Sequence, residues 1–142
     1  MDQHYSHQWI PDAFPWLESA IVRLCEVITF TKGWDSYGGK PVDPSVGPHV
    51  VRWLSYLMES DTPIPRIIPV RDGAVQLEWH GPYGDLLVQI SPMGAAEVYH
   101  KERYTGAVWT GPLLRYPDRV RYACRVISES MKPPALVDSR DC

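Results

Sequence analysis

The sequence predicts an α+β domain in which three helices pack on one face of an antiparallel sheet of four to five strands. Two observations favour this class. Apolar residues recur at three- and four-residue helical spacing near both ends of the chain and again around residue 50. Between residues 66 and 112 they alternate with polar residues, in short runs separated by glycine and proline. Helical segments placed before and after a run of hairpins are typical of α+β architecture.

The composition is that of one globular domain. The chain has 142 residues, of which 44% are hydrophobic and 22% are charged, enough to bury one core. We expect a single domain over residues 1–132 and a flexible C-terminal tail over residues 133–142. The net charge of −3 does not favour nucleic acid or an anionic membrane as a partner of the whole chain.

Cysteine spacing and hydropathy indicate the compartment. Cys25, Cys124 and Cys142 show no CxxC spacing, so free thiols are expected and no metal or cofactor is predicted. No apolar run approaches the roughly 18 residues of a membrane span, and the N-terminal residues lack the pattern of a signal peptide. We therefore expect a cytoplasmic protein with no membrane partner.

Each of the three helices is predicted by an apolar stripe and by residues that suit its ends. The first lies between a cap at Asp12 and a stop at Gly33. The second follows Ser45 as cap with Pro48 in its first turn, and the third begins near Pro117. The predicted inward-facing residues are Trp16, Leu17, Ala20, Ile21, Leu24, Cys25 and Ile28, then Val46, Val50, Trp53, Leu54 and Leu57, then Val120, Ala123, Cys124, Ile127 and Met131.

The strands and their register are predicted from the turns. RIIPV, AVQLEWH, DLLVQIS and AEVYHK are four strand candidates, and TGAVWTG is a candidate for a fifth. Pro69 restricts the first strand to an edge of the sheet. A two-residue turn at Asp72-Gly73, a GPYG turn at residues 81–84 and a bulged turn at residues 92–94 set the register. The predicted pairs include Ile68 with Leu77, His80 with Asp85, Trp79 with Leu86 and Ile90 with Ala96.

All three turns place apolar residues on the same face of the sheet, which identifies it as the core face. Leu77 and Trp79 are expected at its centre. The predicted core-face residues are Ile68, Val70, Val75, Leu77, Trp79, Leu86, Val88, Ile90, Ala96 and Val98.

The opposite face is the predicted partner-binding surface. An apolar centre of Ile67, Leu87 and Tyr99 has a polar, mainly acidic surround, which is the anatomy of a protein interface. The alternative is that the N-terminal segment or the tail of the chain covers part of this face. The residues predicted to bind a partner here are Glu78, Leu87, Gln89, Glu97 and Tyr99, with Gln76 beside them.

Glu78, His80 and Asp85 are the residues most suggestive of chemistry. Residues two apart share a strand face, so the three could form a metal-binding or acid/base set. A hairpin tip offers little to exclude water, so a solvated or partner-facing hairpin is the preferred interpretation, and no catalytic residue is assigned. The other histidines, which lack zinc-type spacing and are expected to be surface or hydrogen-bonded residues, include His4, His7, His49 and His100.

GWDSYGG, residues 33–39, is a second candidate element. Trp34 can anchor the loop on the core, and Asp35 can accept hydrogen bonds from nearby backbone amides. The segment lacks the GxxxxGK[ST] pattern of a phosphate-binding loop. A structural loop is the first interpretation, and a binding role for Trp34, Asp35 and Tyr37 is the alternative.

RYPDRVRYACR is the third candidate element. It carries Arg115, Arg119, Arg121 and Arg125, which form two pairs one helical turn apart and alternate with tyrosines. This pattern predicts a patch for phosphate or for an acidic partner, with Arg115 and Arg119 in the binding site. The alternative is a solvated helix face with extended arginines.

Two stretches, GWDSYGGKPVDP and DGAVQLEWHGPYGDLLVQISPMG, resemble a family of small, mostly uncharacterised bacterial proteins. The family shares a GWDxYxA-like loop and a GGVQLEWH…DLxxxI-like hairpin, and the match covers Gly33 to Gly94. Gly39 stands where the family has alanine, and Ala74 where it has glycine. The resemblance implies a compact bacterial domain linked to mobile elements or defence regions, and it implies no catalytic residues.

Three classes of function follow from these observations. The first is a non-enzymatic protein-binding module: an inhibitor, antitoxin or adaptor in a bacterial defence, phage or anti-CRISPR-like setting. Its partner would be another protein, such as a nucleic-acid-binding effector or a toxin, and homodimer formation is left open. The second is a nucleic-acid-associated protein that uses the arginine-rich helix. The third is a hydrolase with Glu78, His80, Asp85 and Asp35 as its candidate residues.

Overall fold

Two helices, five strands and a third helix follow one another in a computed structural model that describes residues 15–29, 41–70 and 72–133. The helices are α1 (Leu17–Ile28), α2 (Val46–Leu57) and α3 (Pro117–Met131). The strands are β1 (Arg66–Pro69), β2 (Val75–Gly81), β3 (Gly84–Ile90), β4 (Ala96–Glu102) and β5 (Val108–Pro112). These elements confirm the α+β class. Asp12, Gly33, the loop at residues 33–39 and the tail from residue 134 lie outside the described residues.

The five strands form one antiparallel sheet in the order β1-β2-β3-β4-β5. The predicted pairs of His80 with Asp85 and of Ile90 with Ala96 are confirmed. The turn before β4 closes as predicted, because the Gly94 N–H donates to the Ser91 carbonyl at 2.9 Å and Gly94 takes a φ of 94°. The fifth strand is confirmed, and β1 is an edge strand, as Pro69 predicted.

The predicted register of β1 is wrong by one residue. Ile67, not Ile68, pairs with Leu77, while Ile68 pairs with Gln76. Because side chains alternate between the two faces of a strand, a shift of one residue exchanges them. Ile67 therefore lies in the core with 1% of its surface exposed, and Ile68 takes the place on the opposite face that was predicted for Ile67.

The turn between β1 and β2 explains the shift. The Val70 N–H donates to the Ala74 carbonyl at 3.0 Å, and the Gly73 N–H donates to the Val70 carbonyl at 3.2 Å. Three residues therefore separate the paired Val70 and Ala74, where the sequence interpretation allowed two. Gly73 adopts a φ of 82°, which suits the left-handed position of a three-residue hairpin loop.

The core face of the sheet meets the buried side of the helices. Leu77 and Trp79 are fully buried, as predicted, and the Trp79 indole N–H donates to the Pro63 carbonyl at 3.0 Å. The strand residues of the core are Ile67, Val75, Leu77, Trp79, Leu86, Val88, Ile90, Ala96 and Val98. The helices add Ala20, Leu24 and Val27, then Val46, Val50, Leu54 and Leu57, then Val120, Ala123, Cys124 and Ile127.

The helix predictions hold for α2 and α3 and are partly wrong for α1. α2 begins directly after Ser45, and α3 begins at Pro117. In α1 the predicted inward residues Ile21 and Cys25 are exposed, and Val27 is buried instead. Because α1 packs on the edge strand β1 and on α2, only a narrow stripe of it is covered. Of the described helices, none is long and apolar enough to cross a membrane.

Candidate protein-binding surface

The side chains opposite the core form a second face of the sheet, which we call the outer face. Strand pairing places Leu87 between Glu78 and Tyr99, and Gln89 opposite Glu97. The five sheet residues predicted to bind a partner therefore lie together. The outer face comprises Arg66, Ile68, Gln76, Glu78, His80, Asp85, Leu87, Gln89, Glu97, Tyr99, Lys101, Val108 and Thr110.

Leu87 and Tyr99 form the centre of the outer face. Both are half-buried, and neither belongs to the core cluster. They line a depression of about 220 Å³ together with Gln76, Gln89, Glu97, Val98 and Thr110. Large side chains thus meet water at the middle of the face, with amide and carboxylate groups around them.

A chain of hydrogen bonds and ion pairs occupies the β1 and β2 side of the outer face. His80 Nδ1 lies 2.8 Å from Asp85 Oδ1, and His80 Nε2 lies 3.0 Å from Glu78 Oε1. Arg103 Nη2 is 3.1 Å from the same oxygen of Asp85, and Arg66 Nη1 is 3.8 Å from Glu78 Oε1. Alternating positive and negative groups therefore run across the hairpin, and we call them the charge network.

The charge network favours a protonated His80. Hydrogen bonds to Asp85 and then to Glu78 raise the pKa of His80. Both ring nitrogens face carboxylate oxygens, and only the imidazolium form donates from both. Burial raises the pKa of Glu78, but hydrogen bonds from His80 and Gln76 outweigh it, so the pKa of Glu78 is lowered overall.

This geometry bears on the interpretation of Glu78, His80 and Asp85 as a chemical site. A protonated His80 has no lone pair to bind a metal or to accept a proton from a substrate. Among the described residues, no group of three or more His, Cys, Asp or Glu side chains could hold a metal ion. The arrangement suits an ion-pair network that fixes the hairpin.

Sequence reasoning missed Arg103, which completes the charge network. It follows β4, lies 18 residues from Asp85 and also donates to the Gly81 carbonyl at 3.2 Å. Its backbone N–H donates to the Tyr83 carbonyl at 2.9 Å, which brings the residue to the tip of the β2–β3 hairpin. Extending the predicted β3–β4 register past residue 102 would have found it.

The two histidines outside the charge network that the structure describes have structural environments. A side chain at Gly94 would meet the His49 ring at 2.8 Å, so this ring packs against the bulged turn before β4. His100 is half-buried, and burial, followed by the charge of Arg119, lowers its pKa. His4 and His7 lie outside the described residues.

The four arginines of the third candidate element are exposed. Three of them lie over aromatic rings, and the fourth forms an ion pair with a glutamate. The guanidinium carbon of Arg119 lies 4.5 Å from the centre of the Trp109 ring. Arg121 lies over Tyr56 at 5.4 Å, and Arg115 over Tyr116 at 5.6 Å, while Arg125 Nε is 3.4 Å from Glu59 Oε1. Asp118 and Glu129 lie on the same helix, so the described surface here is mixed in charge.

The binding role predicted for Trp34, Asp35 and Tyr37 concerns residues outside the described ranges. The same holds for the interpretation in which the N-terminal segment or the tail covers the outer face. The described part of the site therefore consists of the outer face and the arginines of α3.

The described part of the chain has an α+β fold with a five-stranded antiparallel sheet and a mixed apolar and polar outer face. No protein-family model matches the chain, and neither a curated protein nor a solved structure does. The resemblance to the bacterial family stays a prediction from the loop and hairpin motifs.

Proposed function

We propose that this protein is a non-enzymatic protein-binding module that contacts its partner through the outer face. The observation that carries the proposal is the half-buried pair Leu87 and Tyr99 in a depression of about 220 Å³. Folding leaves these side chains partly in water, so a partner that covers them gains free energy from their burial. An inhibitor, antitoxin or adaptor in a bacterial defence or mobile-element setting is the class of module that we infer.

The chemistry around the centre supports this choice. Gln89 and Glu97 are exposed side by side, and Gln76 lines the same depression. An apolar and aromatic centre with a polar rim is the usual arrangement of a protein interface, and tyrosine is enriched among its strongest contributors.

Charge indicates the kind of partner. The chain has a net charge of −3, and among the described residues that line the depression Glu97 is the charged one, while Arg66 and Lys101 lie elsewhere on the outer face. Complementary potentials speed association and exclude wrong partners. A basic protein surface, such as the nucleic-acid-binding groove of an effector or toxin, is therefore the partner that fits best.

Nucleic-acid association is the second candidate. Four exposed arginines with aromatic neighbours on and around α3 favour it, because guanidinium groups bind phosphate and rings can stack on bases. It ranks second because Glu59 pairs with Arg125, and Asp118 and Glu129 lie among the arginines.

Site-specific photo-crosslinking tests the proposal in the native host. A benzophenone amino acid at Gln89, an exposed position of the outer face, should capture a discrete protein. The same group at Met93, which is 91% exposed in the turn before β4, is the matched control and should not. Capture at both positions would indicate nonspecific contact and would count against the outer face.

With the partner in hand, affinity measurements test the centre directly. Tyr99→Ala combined with Glu97→Lys should leave the fold intact and weaken binding at least tenfold, about 1.4 kcal/mol. Glu97 is the better choice over Glu78, because the carboxylate of Glu78 holds His80 and Gln76. Unchanged affinity in a folded double variant would remove the outer face from consideration. Salt-sensitive RNA or DNA binding that falls on Arg119→Ala would favour the second candidate.

A further inference from the structure

The two edges of the sheet differ in the backbone groups that they leave free. In an antiparallel pair, successive residues alternately direct their N–H and C=O groups toward the neighbouring strand and away from it. An edge strand therefore presents every second residue as an unpaired donor and acceptor. Which residues these are follows from the hydrogen bonds at the ends of each edge strand.

The β1 edge has few free backbone groups. The Val70 N–H donates to Ala74, so Pro69 and Ile67 are the positions that point outward. Pro69 has no N–H, and the Ile67 carbonyl accepts a hydrogen bond of 2.9 Å from Arg23 Nε of α1. The Ile67 N–H is the one outward donor left on this strand.

The β5 edge is open. The Glu102 N–H donates to Ala107 and the Leu113 N–H donates to Ala96, both at 2.9 Å, which sets the alternation between them. Val108, Thr110 and Pro112 therefore point outward. The Pro112 carbonyl accepts from the Arg115 N–H at 3.3 Å. Within the described part of the chain, nothing bonds to the outward N–H and C=O groups of Val108 and Thr110.

The surroundings of β5 also suit pairing with another strand. Natural edge strands avoid unwanted pairing with charges, prolines or bulges. β5 has a proline at its last position, Pro112, but residues 108–111 carry neither charge nor proline. The Trp109 ring lies over Gly111, where a side chain would meet it at 2.9 Å, so the indole lies along its own strand. Val108 is 54% exposed and the nearby Leu114 is 81% exposed, which adds apolar surface beside the edge.

We propose that β5 pairs in antiparallel register with β5 of a second copy of this chain, joining two sheets into one. The free groups are symmetric about Trp109, with one donor and one acceptor on each side. A two-fold axis at Trp109 therefore places Val108 of each copy opposite Thr110 of the other, and all four free groups of each copy find partners. This self-complementarity is what an isologous dimer requires. The pairing uses backbone groups of β5 and requires no outer-face partner, although the Thr110 side chain also lines the depression of the outer face.

The concentration dependence of the molar mass tests the dimer. Light scattering or sedimentation from about 1 μM to about 1 mM, which spans weak to moderate affinities, should show a monomer–dimer equilibrium for the unaltered chain. Thr110→Pro removes an outward N–H but no hydrogen bond to β4, because Thr110, like Pro112, is an outward position of β5. It should weaken the dimer at least tenfold. Thr110→Val keeps the N–H and is the matched control, which should dimerise as the unaltered chain does.

Further measurements keep the test decisive. Val108→Lys places a charge on the edge without a change of backbone, and it should also weaken the dimer. It serves as the test if Thr110→Pro fails to fold. Hydrogen exchange of the Val108 and Thr110 amides should slow at high concentration, whereas exchange of the Ile67 amide should not. A chain that stays monomeric over the whole range, or a dimer that both folded edge variants leave unchanged, would overturn the proposal.

Discussion

Residues of the same type are buried to different extents on the core face and on the outer face of the sheet. Leu77 on β2 is fully buried on the core face, whereas Leu87 on the adjacent strand β3 is only half-buried on the outer face. Trp79 and Tyr99 repeat the contrast with aromatic side chains. Because removal of apolar surface from water is the main force in folding, the core face sets the stability of the domain. Substitutions on the two faces should therefore separate folding from binding.

The largest expected effect is on the core face. Trp79→Ala should lower the free energy of unfolding by about 3–5 kcal/mol, and Leu77→Ala by about 2–5 kcal/mol, because each leaves a cavity that the surroundings fill only partly. Trp79→Ala also removes the hydrogen bond to the Pro63 carbonyl. Urea denaturation followed by circular dichroism measures both losses.

Leu87→Ala is the matched control for Leu77→Ala, since the chemical change is the same and only the face differs. It should cost less, about 1–2 kcal/mol, because a half-buried side chain has less buried area to lose. A loss as large as that of Leu77→Ala would mean that another part of the chain covers the outer face.

The next prediction concerns the boundary between the faces at β1. Ile67→Ala should cost about 2–5 kcal/mol and Ile68→Ala clearly less, because Ile67 is 1% exposed while Ile68 lies on the outer face. The same denaturation experiment measures both. The reverse order would favour the register in which Ile68 pairs with Leu77.

The register of β1 is also the part of the sheet that the sequence did not predict correctly. Alternation and turn chemistry predicted the β2, β3 and β4 registers, because GPYG and PMG each fit one turn length. The dipeptide Asp72-Gly73 fits both a two-residue turn and the end of a three-residue loop, since glycine at a positive φ serves in either. Local pattern could not choose between them, and one misplaced residue exchanged Ile67 and Ile68.

The candidate site was predictable to a similar extent. The residues of the outer face followed from the two hairpin registers, so Glu78, Leu87 and Tyr99 were grouped correctly. Only the Glu78, His80 and Asp85 part of the charge network could be predicted. Arg66 lies in β1, whose predicted register was wrong, and Arg103 lies beyond the end of β4. Which backbone groups of β5 are free depends on the hydrogen bonds at both ends of the strand, and the periodicity of the sequence does not predict these bonds.

The smallest expected effect lies in the charge network on the outer face. His80 has a raised pKa, so its stabilising contribution is complete below its ordinary pKa of 6.5 and is lost as pH rises through the folded-state pKa. Glu78 has a lowered pKa, so its contribution is present above its ordinary pKa of 4.5 and is lost as pH falls through the folded-state pKa. The network should therefore stabilise the fold most between these two values.

His80→Gln isolates this contribution, because glutamine keeps a polar side chain that does not titrate. The stability difference between the unaltered chain and the variant should be largest near pH 6 and should shrink as pH rises through the raised folded-state pKa of His80, above which the imidazole is neutral in both folded and unfolded states. It should stay within about 1 kcal/mol, since the ion pairs are partly exposed to solvent. Thermal unfolding at low salt measures it, and added salt should reduce it by screening. A difference that grows with pH would mean that neutral His80 is the form that the hairpin prefers. That result would reopen the interpretation of Glu78, His80 and Asp85 as an acid/base set.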